Sequence, residues 1–326
     1  MEQWNLGLLQ KWTSDVLKLV TREVPLVPLP IWQNIVLPFC TVDNKIRNEH
    51  GTKRFSSTGK INYGGRMKKD SEGAFNVSYH ITDSEDKVVF VLKKWKHTYE
   101  QIPDEYFKMA RFIKTPHVIK HIDFFFDDQN FGVSVPLCSL VPFYKDSLEK
   151  KIVEAKRINS LTGKGRCADE LKIAEWFWEL TEGVQALHQC RITHCDLNPA
   201  NIFLDDGHIV IGDIGETNAG TFIKTFQGRF AYLPKEVSGG DSPPLNADMF
   251  SLGCILLDML SLELTDLRQE NIPWRIAAIP RDYSKVFTQL VLGLLIDDRK
   301  RRLTIDQVRS LLQDHLPCMV RFVSFQ

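Results

Sequence analysis

The sequence predicts an α+β fold of two lobes, in which a small β-rich part precedes a larger α-helical part. Short runs of β-branched and aromatic residues are concentrated in residues 61–138, the predicted N-lobe. Beyond residue 145 apolar residues recur at helical spacing, so residues 139–326 form the predicted C-lobe. The length of 326 residues fits two lobes around a cleft. This order of strands and then helices is typical of an α+β enzyme.

Composition excludes several classes of protein. Lysine plus arginine equals aspartate plus glutamate at 41 each, which favours neither a nucleic-acid partner nor an anionic membrane. We expect no transmembrane segment, because no run approaches the roughly 20 apolar residues that a spanning helix needs. Seven scattered cysteines and the lack of a signal peptide predict free thiols and a cytoplasmic, reducing location.

Residues 1–60 predict a separate N-terminal segment. A proline-rich stretch at residues 25–30 excludes helix, and residues 44–69 form a polar, basic linker that runs into the first strand. Before them, an amphipathic helix is predicted by apolar residues at helical spacing, which are Trp4, Leu8, Leu9, Trp12, Val16, Leu17 and Val20. This helix either packs on the main domain or docks on a partner or a membrane surface.

The N-lobe begins with a predicted hairpin. Its strands are Phe75–Ile81 and Val88–Leu92, and the second strand ends in two lysines. A helix is expected over about residues 99–114, where a Thr-Pro pair stops it. Two further strands are predicted at residues 118–126 and 131–137. In the C-lobe the longest predicted helices cover residues 168–188 and 247–262.

The most informative stretch is HCDLNPAN at residues 194–201, followed by IGDIG at residues 211–215. Asp196, then Asn201, then Asp213 behind a short apolar strand is the layout of a phosphoryl-transfer site. Asp196 can orient a hydroxyl nucleophile and accept its proton. Asn201 and Asp213 can hold Mg²⁺ on ATP.

With its flanks, this stretch resembles the catalytic and magnesium loops of eukaryotic-type protein kinases. The resemblance implies ATP and Mg²⁺ as cofactors and a protein substrate with serine or threonine hydroxyls. It also makes His194 and Gly215 structural residues of the two loops. Kinase-like phosphotransferases for small molecules share the core of Asp196, Asn201 and Asp213, so the remaining motifs decide between the two classes.

The family's glycine-rich phosphate loop corresponds to SEGAFN at residues 71–76, where only the middle glycine is kept. The resemblance places Ser71, Gly73 and Asn76 beside the phosphates of ATP. Small residues are needed there so that backbone N–H groups can approach the phosphates. Asn is among the residues that best tolerate unusual backbone angles.

The next strand, FVLK at residues 90–93, resembles the family's V-A-I-K and makes Lys93 the contact to the α- and β-phosphates. Lys94 is a rival, although Val91 and Lys93 share one face of a strand. The family pairs this lysine with a helix glutamate, for which Glu105 is favoured over Glu100.

A later strand, VSVPLC at residues 133–138, resembles the one that leads into the adenine-binding hinge. The resemblance places the hinge backbone at residues 136–138 and a small gatekeeper at Val135. Leu137 and Cys138 would then contact ATP. An alignment shifted by one residue is also compatible with this stretch.

Three C-lobe motifs resemble protein kinases and are lacking in small-molecule phosphotransferases. FAYLPKEV at residues 230–237 looks like Y-x-A-P-E-V, with Glu236 as a buried glutamate. NADMFSLG at residues 246–253 resembles D-x-W-S-L-G, whose Asp248 should cap the catalytic-loop backbone. A third motif at residues 295–304 supplies an arginine to pair with the glutamate, and Arg301 is favoured over Arg302.

Several departures from the family bear on activity. Cys195 replaces the arginine that receives an activation-loop phosphate, and Asn198 replaces the lysine that steadies the transferring phosphoryl group. Ile214 replaces a phenylalanine and should still pack. Two hypotheses follow, an active serine/threonine protein kinase and, as the alternative, a pseudokinase that acts as a signalling scaffold.

A zinc site is a further alternative for the His and Cys residues around the catalytic loop. Their spacing is irregular, and the kinase resemblance already explains His194, so this hypothesis is disfavoured. The residues concerned are His188, Cys190, His194 and Cys195.

Overall fold

The computed structural model describes residues 53–54, 66–72, 76–82, 87–95, 113–121, 123–126, 137–214, 230–239, 245–266 and 271–315. These residues fall into two compact units. The first contains the described residues up to Trp95 together with residues 123–141, and the second contains residues 113–121 and 142–315. The expected N-terminal helix of residues 1–20 lies outside the described residues.

The first unit is a six-stranded sheet in the order β1-β2-β3-β4-β6-β5. The pairs β1–β2, β2–β3, β3–β4 and β5–β6 are antiparallel. Ile81, Leu92 and Leu140 are buried in this unit. The strands are β1 Lys53–Arg54, β2 Arg66–Glu72, β3 Asn76–Thr82, β4 Val88–Trp95, β5 Asp123–Phe126 and β6 Leu137–Pro142.

The hairpin of β3 and β4 confirms the strands predicted around residues 75–81 and 88–92. The linker predicted at residues 44–69 is wrong in part, because it contains β1 and the beginning of β2. The described side chains of β2, residues 68–72, are exposed and polar. A strand without a buried face shows no apolar alternation, so its sequence gives no strand signal.

Strand β6 begins where the sequence predicted that a strand would end. It runs from Leu137 to Pro142, and its register pairs Leu137 with Phe126 and Cys138 with Phe125. The chain passes from the first unit to the second between Val141 and Pro142. The hinge backbone predicted at residues 136–138 therefore overlaps a paired strand. The fully buried Ser139 interrupts the apolar residues of this strand, so the sequence pattern does not predict the strand.

The second unit is mainly helical. Its small sheet has the order β7-β8-β9, with β7 Asp146–Ser147, β8 Ile202–Asp205 and β9 His208–Ile211. Short 3-10 turns cover Pro199–Asn201, Phe230–Tyr232 and Lys235–Gly239. The α-helices of the described part are α1 Leu148–Thr162, α2 Glu170–Gln189, α3 Asn246–Ser261, α4 Ile272–Ala277, α5 Lys285–Leu294 and α6 Ile305–His315.

Helices α2 and α3 confirm the two long helices predicted in the C-lobe. The side chain of Asp169 caps α2 by accepting a hydrogen bond from the backbone N–H of Lys172. Every residue of α3 from Ala247 to Leu260 is buried, so this helix is the centre of the second unit. No helix in the described ranges combines the length and apolar character needed to span a bilayer.

Helix α2 fixes the position of the β8–β9 hairpin. The indole N–H of Trp176 donates to the carbonyl of Gly207 at 2.8 Å, and the Glu179 carboxylate accepts the N–H of Ile209 at 2.8 Å. The two-residue turn has positive φ at Asp206 (47°) and Gly207 (85°), as a tight hairpin with matching twist requires. The ends of β8 and β9, beside which the predicted catalytic motifs lie, are therefore held in place by α2.

Candidate functional site

Two amide side chains hold the carboxylate of Asp196. Asn201 Nδ2 donates to Asp196 Oδ2 at 2.8 Å, and Asn198 Nδ2 donates to Asp196 Oδ1 at 3.0 Å. Both amides also donate to the backbone oxygen of Asp196, each at 2.9 Å. Asn198 and Asn201 are 5% and 3% exposed. Each carboxylate oxygen thus receives an N–H from a side-chain amide, and the two bonds fix the plane of the group.

His194 joins the catalytic loop to the segment that carries Asp213. Its ring is fully buried, and its Nδ1 accepts the N–H of Asp196 at 3.2 Å. The proton is therefore assigned to Nε2, which donates to the carbonyl of Gly212 at 2.8 Å. The N–H of Gly212 donates to the carbonyl of Asn201 at 2.8 Å. The two peptide groups on either side of Gly212 are thus tied to the catalytic loop.

The backbone next to these bonds adopts uncommon angles. Asp213 has φ 53° and Cys195 has φ 64°, both in the left-handed region that side chains other than glycine rarely adopt. A Cβ atom on Gly212 would lie 2.3 Å from the Phe203 ring, so only glycine allows this close approach. Strained backbone of this kind is concentrated at functional sites, where the side chains must keep a fixed orientation.

Asp248 supports the catalytic loop from helix α3. Its Oδ2 accepts the N–H of His194 at 2.9 Å, and its Oδ1 accepts the N–H of Cys195 at 3.0 Å. The ring of His188 contacts the same carboxylate at 2.9 Å. The carboxylate is fully buried, and these donors compensate its charge. The Asp248 carboxylate thus holds the loop in its left-handed turn by accepting hydrogen bonds from the loop's backbone N–H groups.

Cys195, which stands where the kinase resemblance expects an arginine, is buried. It is 4% exposed and packs in an apolar cluster with Leu233, Val237 and Ala247. Ile214, beside Asp213, is likewise buried. These apolar residues connect the catalytic loop to the turns before α3 and to α3 itself.

The zinc hypothesis does not agree with these contacts. The rings of His188 and His194 are bound to Asp248 and to Gly212, and the Cys195 thiol lies in the apolar cluster. In the described part of the chain, a different group brings metal-ligating atoms within 4.8 Å of one another, namely Glu175, Glu179 and His208. There the Lys172 ammonium already lies 3.0 Å from Glu175.

Glu236 is paired with Arg302, so the prediction of Arg301 is wrong. Arg302 Nη1 lies 2.7 Å from Glu236 Oε1, and the guanidinium also donates to the carbonyls of Asn246 and Ile296. Arg302 is buried whereas Arg301 is exposed. The Glu236 side chain is 23% exposed, so the prediction of a buried glutamate is wrong, and the buried member of the pair is the arginine. Spacing in the sequence cannot tell which of two adjacent arginines turns inward.

A second buried carboxylate on α3 was missed in the sequence. Asp258 is fully buried and accepts hydrogen bonds from Tyr232 at 2.5 Å, Thr265 at 2.7 Å and Arg275 at 2.6 Å. Burial and the neighbouring carboxylate raise the pKa of the Tyr232 hydroxyl, which therefore remains a donor. An aspartate in the otherwise apolar run of residues 254–260 was the available signal.

The candidate residues of the first unit are only partly described. Lys93 lies in β4, is 8% exposed and pairs across the sheet with Ser78. Lys94 is more exposed, which favours Lys93 among the two lysines. Ser71 is an exposed residue of β2, and Asn76 begins β3. The remaining predicted residues Gly73, Glu105, Val135 and Gly215, and the alternative Glu100, lie outside the described residues.

Comparison with known proteins places this geometry in a family. The protein kinase domain family matches residues 68–312. The chain is 28% identical to the serine/threonine-protein kinase polo of Drosophila melanogaster over 207 residues, which cover 60% of this chain and 33% of polo. It is 27% identical to the serine/threonine-protein kinase PLK1 of Xenopus laevis over 254 residues, 73% of this chain and 40% of that protein.

A third relative is the mouse serine/threonine-protein kinase Nek4, 27% identical over 162 residues, which cover 46% of this chain and 20% of Nek4. The chain thus spans two fifths or less of the length of these three relatives. The family match covers well over half of the chain and agrees with a β-sheet unit followed by a helical unit. This chain belongs to the eukaryotic-type protein kinase family.

Proposed function

We propose that this protein is an active kinase that transfers the γ-phosphoryl group of ATP to serine or threonine hydroxyls of protein substrates. The observation that carries the proposal is the held carboxylate of Asp196. Its two oxygens accept N–H bonds from Asn198 and Asn201, and the loop is tied through Gly212 to Asp213. The serine/threonine kinases that resemble the chain support this class of acceptor.

The roles follow from the orientation of the side chains. Asp196 orients the substrate hydroxyl and accepts its proton. Asn201 turns its Nδ2 toward Asp196, so its Oδ1 is the atom that would bind a metal together with the carboxylate of Asp213. Amide and carboxylate oxygens are the hard ligands that suit Mg²⁺. Bound Mg²⁺ neutralises charge on the β- and γ-phosphates of ATP.

In the first unit, Lys93 is proposed as the contact to the α- and β-phosphates, with Glu105 as its carboxylate partner. A lysine that is only 8% exposed needs negative charge beside it, which agrees with this role. The phosphate-loop residues Ser71, Gly73 and Asn76 stay predictions. The adenine contacts Val135, Leu137 and Cys138 and the cytoplasmic location also stay predictions.

The test is phosphate transfer by the purified full chain with labelled ATP, Mg²⁺ and a generic protein acceptor. Asp196→Asn should lower kcat by about 10²–10⁴-fold, because it removes the proton acceptor. The matched control is Asp206→Asn at an exposed position of the β8–β9 turn, which should leave kcat unchanged. Equal activity of the two variants would remove Asp196 from the mechanism.

A scaffold function without catalysis is the second candidate. It is favoured by Cys195 and Asn198, two buried residues at positions where the resemblance expects an arginine and a lysine. Binding of ATP by the wild-type protein, measured by calorimetry, without transfer to any acceptor would support this alternative and overturn the proposed activity.

A further inference from the structure

We propose that Asn198 is a positioning residue of this kinase, which fixes the Asp196 carboxylate for the incoming hydroxyl. The inference rests on the proposed function. It gives this position a role different from that of a lysine, which would contact the phosphoryl group. The assignment depends on the direction of the Asn198 side chain.

The bonds of Asn198 determine which way its amide faces. Its Oδ1 accepts the N–H of Ala200 at 3.0 Å, and its Nδ2 donates to the backbone oxygen and to Oδ1 of Asp196. If the amide were flipped, Nδ2 would face an N–H donor and Oδ1 would face two oxygens. Since the side chain is 5% exposed, water cannot repair such a mismatch, and the orientation is unique.

Asn198 and Asn201 act on opposite oxygens of the same carboxylate. A carboxylate that is held at one oxygen can still turn about its terminal torsion, which has a broad energy minimum. A second N–H on the other oxygen removes that freedom. A general base must lie within hydrogen-bond reach of its proton, and a misplacement of about 1 Å can cost roughly a hundredfold in rate.

The positioning role can be separated from a structural role of the same residue. Asn198 also caps the 3-10 turn Pro199–Asn201 through its Oδ1. A serine can provide this cap with a short hydroxyl, but it does not extend to the carboxylate. A lysine has no acceptor atom and cannot provide the cap at all. The Nδ2 atom of the amide is therefore the group that holds Asp196, while Oδ1 provides the cap.

The experiment compares Asn198→Ser, Asn198→Asp and Asn198→Ala in the full chain, with Tm measured beside kcat and KM. Ser and Ala should lower kcat by about 10- to 100-fold and leave KM for ATP within about two-fold. Ser should retain the wild-type Tm, whereas Ala should lower it. Asp keeps the cap but places a second carboxylate against Asp196, so its kcat should fall further than that of Ser.

A positioning residue acts only through the group that it holds. The double variant Asp196→Asn with Asn198→Ser should therefore be no slower than Asp196→Asn alone. An additional loss in the double variant would overturn the assignment. So would wild-type kcat in a folded Asn198→Ser or Asn198→Asp, or a higher kcat in Asn198→Lys. Absence of turnover in the wild type would overturn the proposed function itself and this role with it.

Discussion

Helix α3 carries two fully buried carboxylates that are compensated in different ways. Asp248, in its first turn, accepts two backbone N–H groups of the catalytic loop and contacts the ring of His188. Asp258, near the end of the helix, accepts hydrogen bonds from three side chains in the described part of the chain, namely Tyr232, Thr265 and the guanidinium of Arg275. Asp248 therefore fixes the backbone of the catalytic loop, whereas Asp258 connects side chains.

This difference decides what each site tolerates. The partners of Asp258 are side chains and can be exchanged together with it, and buried ion pairs often withstand replacement as a set. The backbone N–H groups of His194 and Cys195 remain when Asp248 is changed, and they would be left buried without an acceptor. Asp248 is also the only one of the two carboxylates that bonds to the catalytic loop in the described residues.

The largest effect is expected for Asp248→Ala. It should lower the free energy of unfolding by about 3–5 kcal/mol, because it leaves two buried N–H donors and a histidine unpaired. It should also abolish transfer at temperatures where the protein is still folded, because the loop loses its support. Urea unfolding and kcat measure both effects. Asp314→Ala on the exposed face of α6 is the control, and an equal loss in both variants would contradict the argument.

The next effect is expected for Arg275→Met. It removes the cation beside Asp258 and should cost about 3 kcal/mol in the free energy of unfolding. Adding Asp258→Asn should recover much of this loss, because the buried charge is then gone while the amide oxygen accepts from Tyr232 and the amide N–H group donates to the hydroxyl oxygen of Thr265. No recovery in the double variant would show that Asp258 does not need Arg275 for its charge.

A smaller effect is expected at Arg302, a buried arginine that pairs with the partly exposed Glu236. Arg302→Gln should cost about 2 kcal/mol, because it leaves the carbonyls of Asn246 and Ile296 without their donor and Glu236 without its partner. Arg301→Gln is the matched control and should change stability by less than about 0.5 kcal/mol. The reverse order in thermal melting would restore Arg301 as the partner of Glu236.

The smallest effect is expected for Tyr232→Phe. The hydroxyl donates to Asp258 Oδ2, while Arg275 and Thr265 donate to Oδ1, so the change removes one bond and keeps the ion pair. We expect a loss of about 1.5 kcal/mol, the lower end of the range for a hydrogen bond to a charged group. Thermal unfolding measures it, and a loss as large as that of Arg275→Met would place the hydroxyl, not the guanidinium, at the centre of the network.

The sequence by itself determined the features that depend on neighbouring residues. The helices α2 and α3 and the hairpin of β3 and β4 follow from local apolar periodicity. The bonds that hold Asp196 come from Asn198 and Asn201, two and five residues further along the chain. The motif therefore carries most of its own geometry, which is why the candidate site could be predicted before any fold was known.

Tertiary structure decided the features whose partners are distant in the chain. Only packing shows that Arg302 and not Arg301 turns inward, and that Asp258 gathers partners from three separate segments. The inward turn of the Asn198 amide depends on a buried loop that Asp248 supports from more than fifty residues away. A sequence pattern records which residue types are present. The direction in which a buried polar side chain points is set by the donors and acceptors that folding brings beside it.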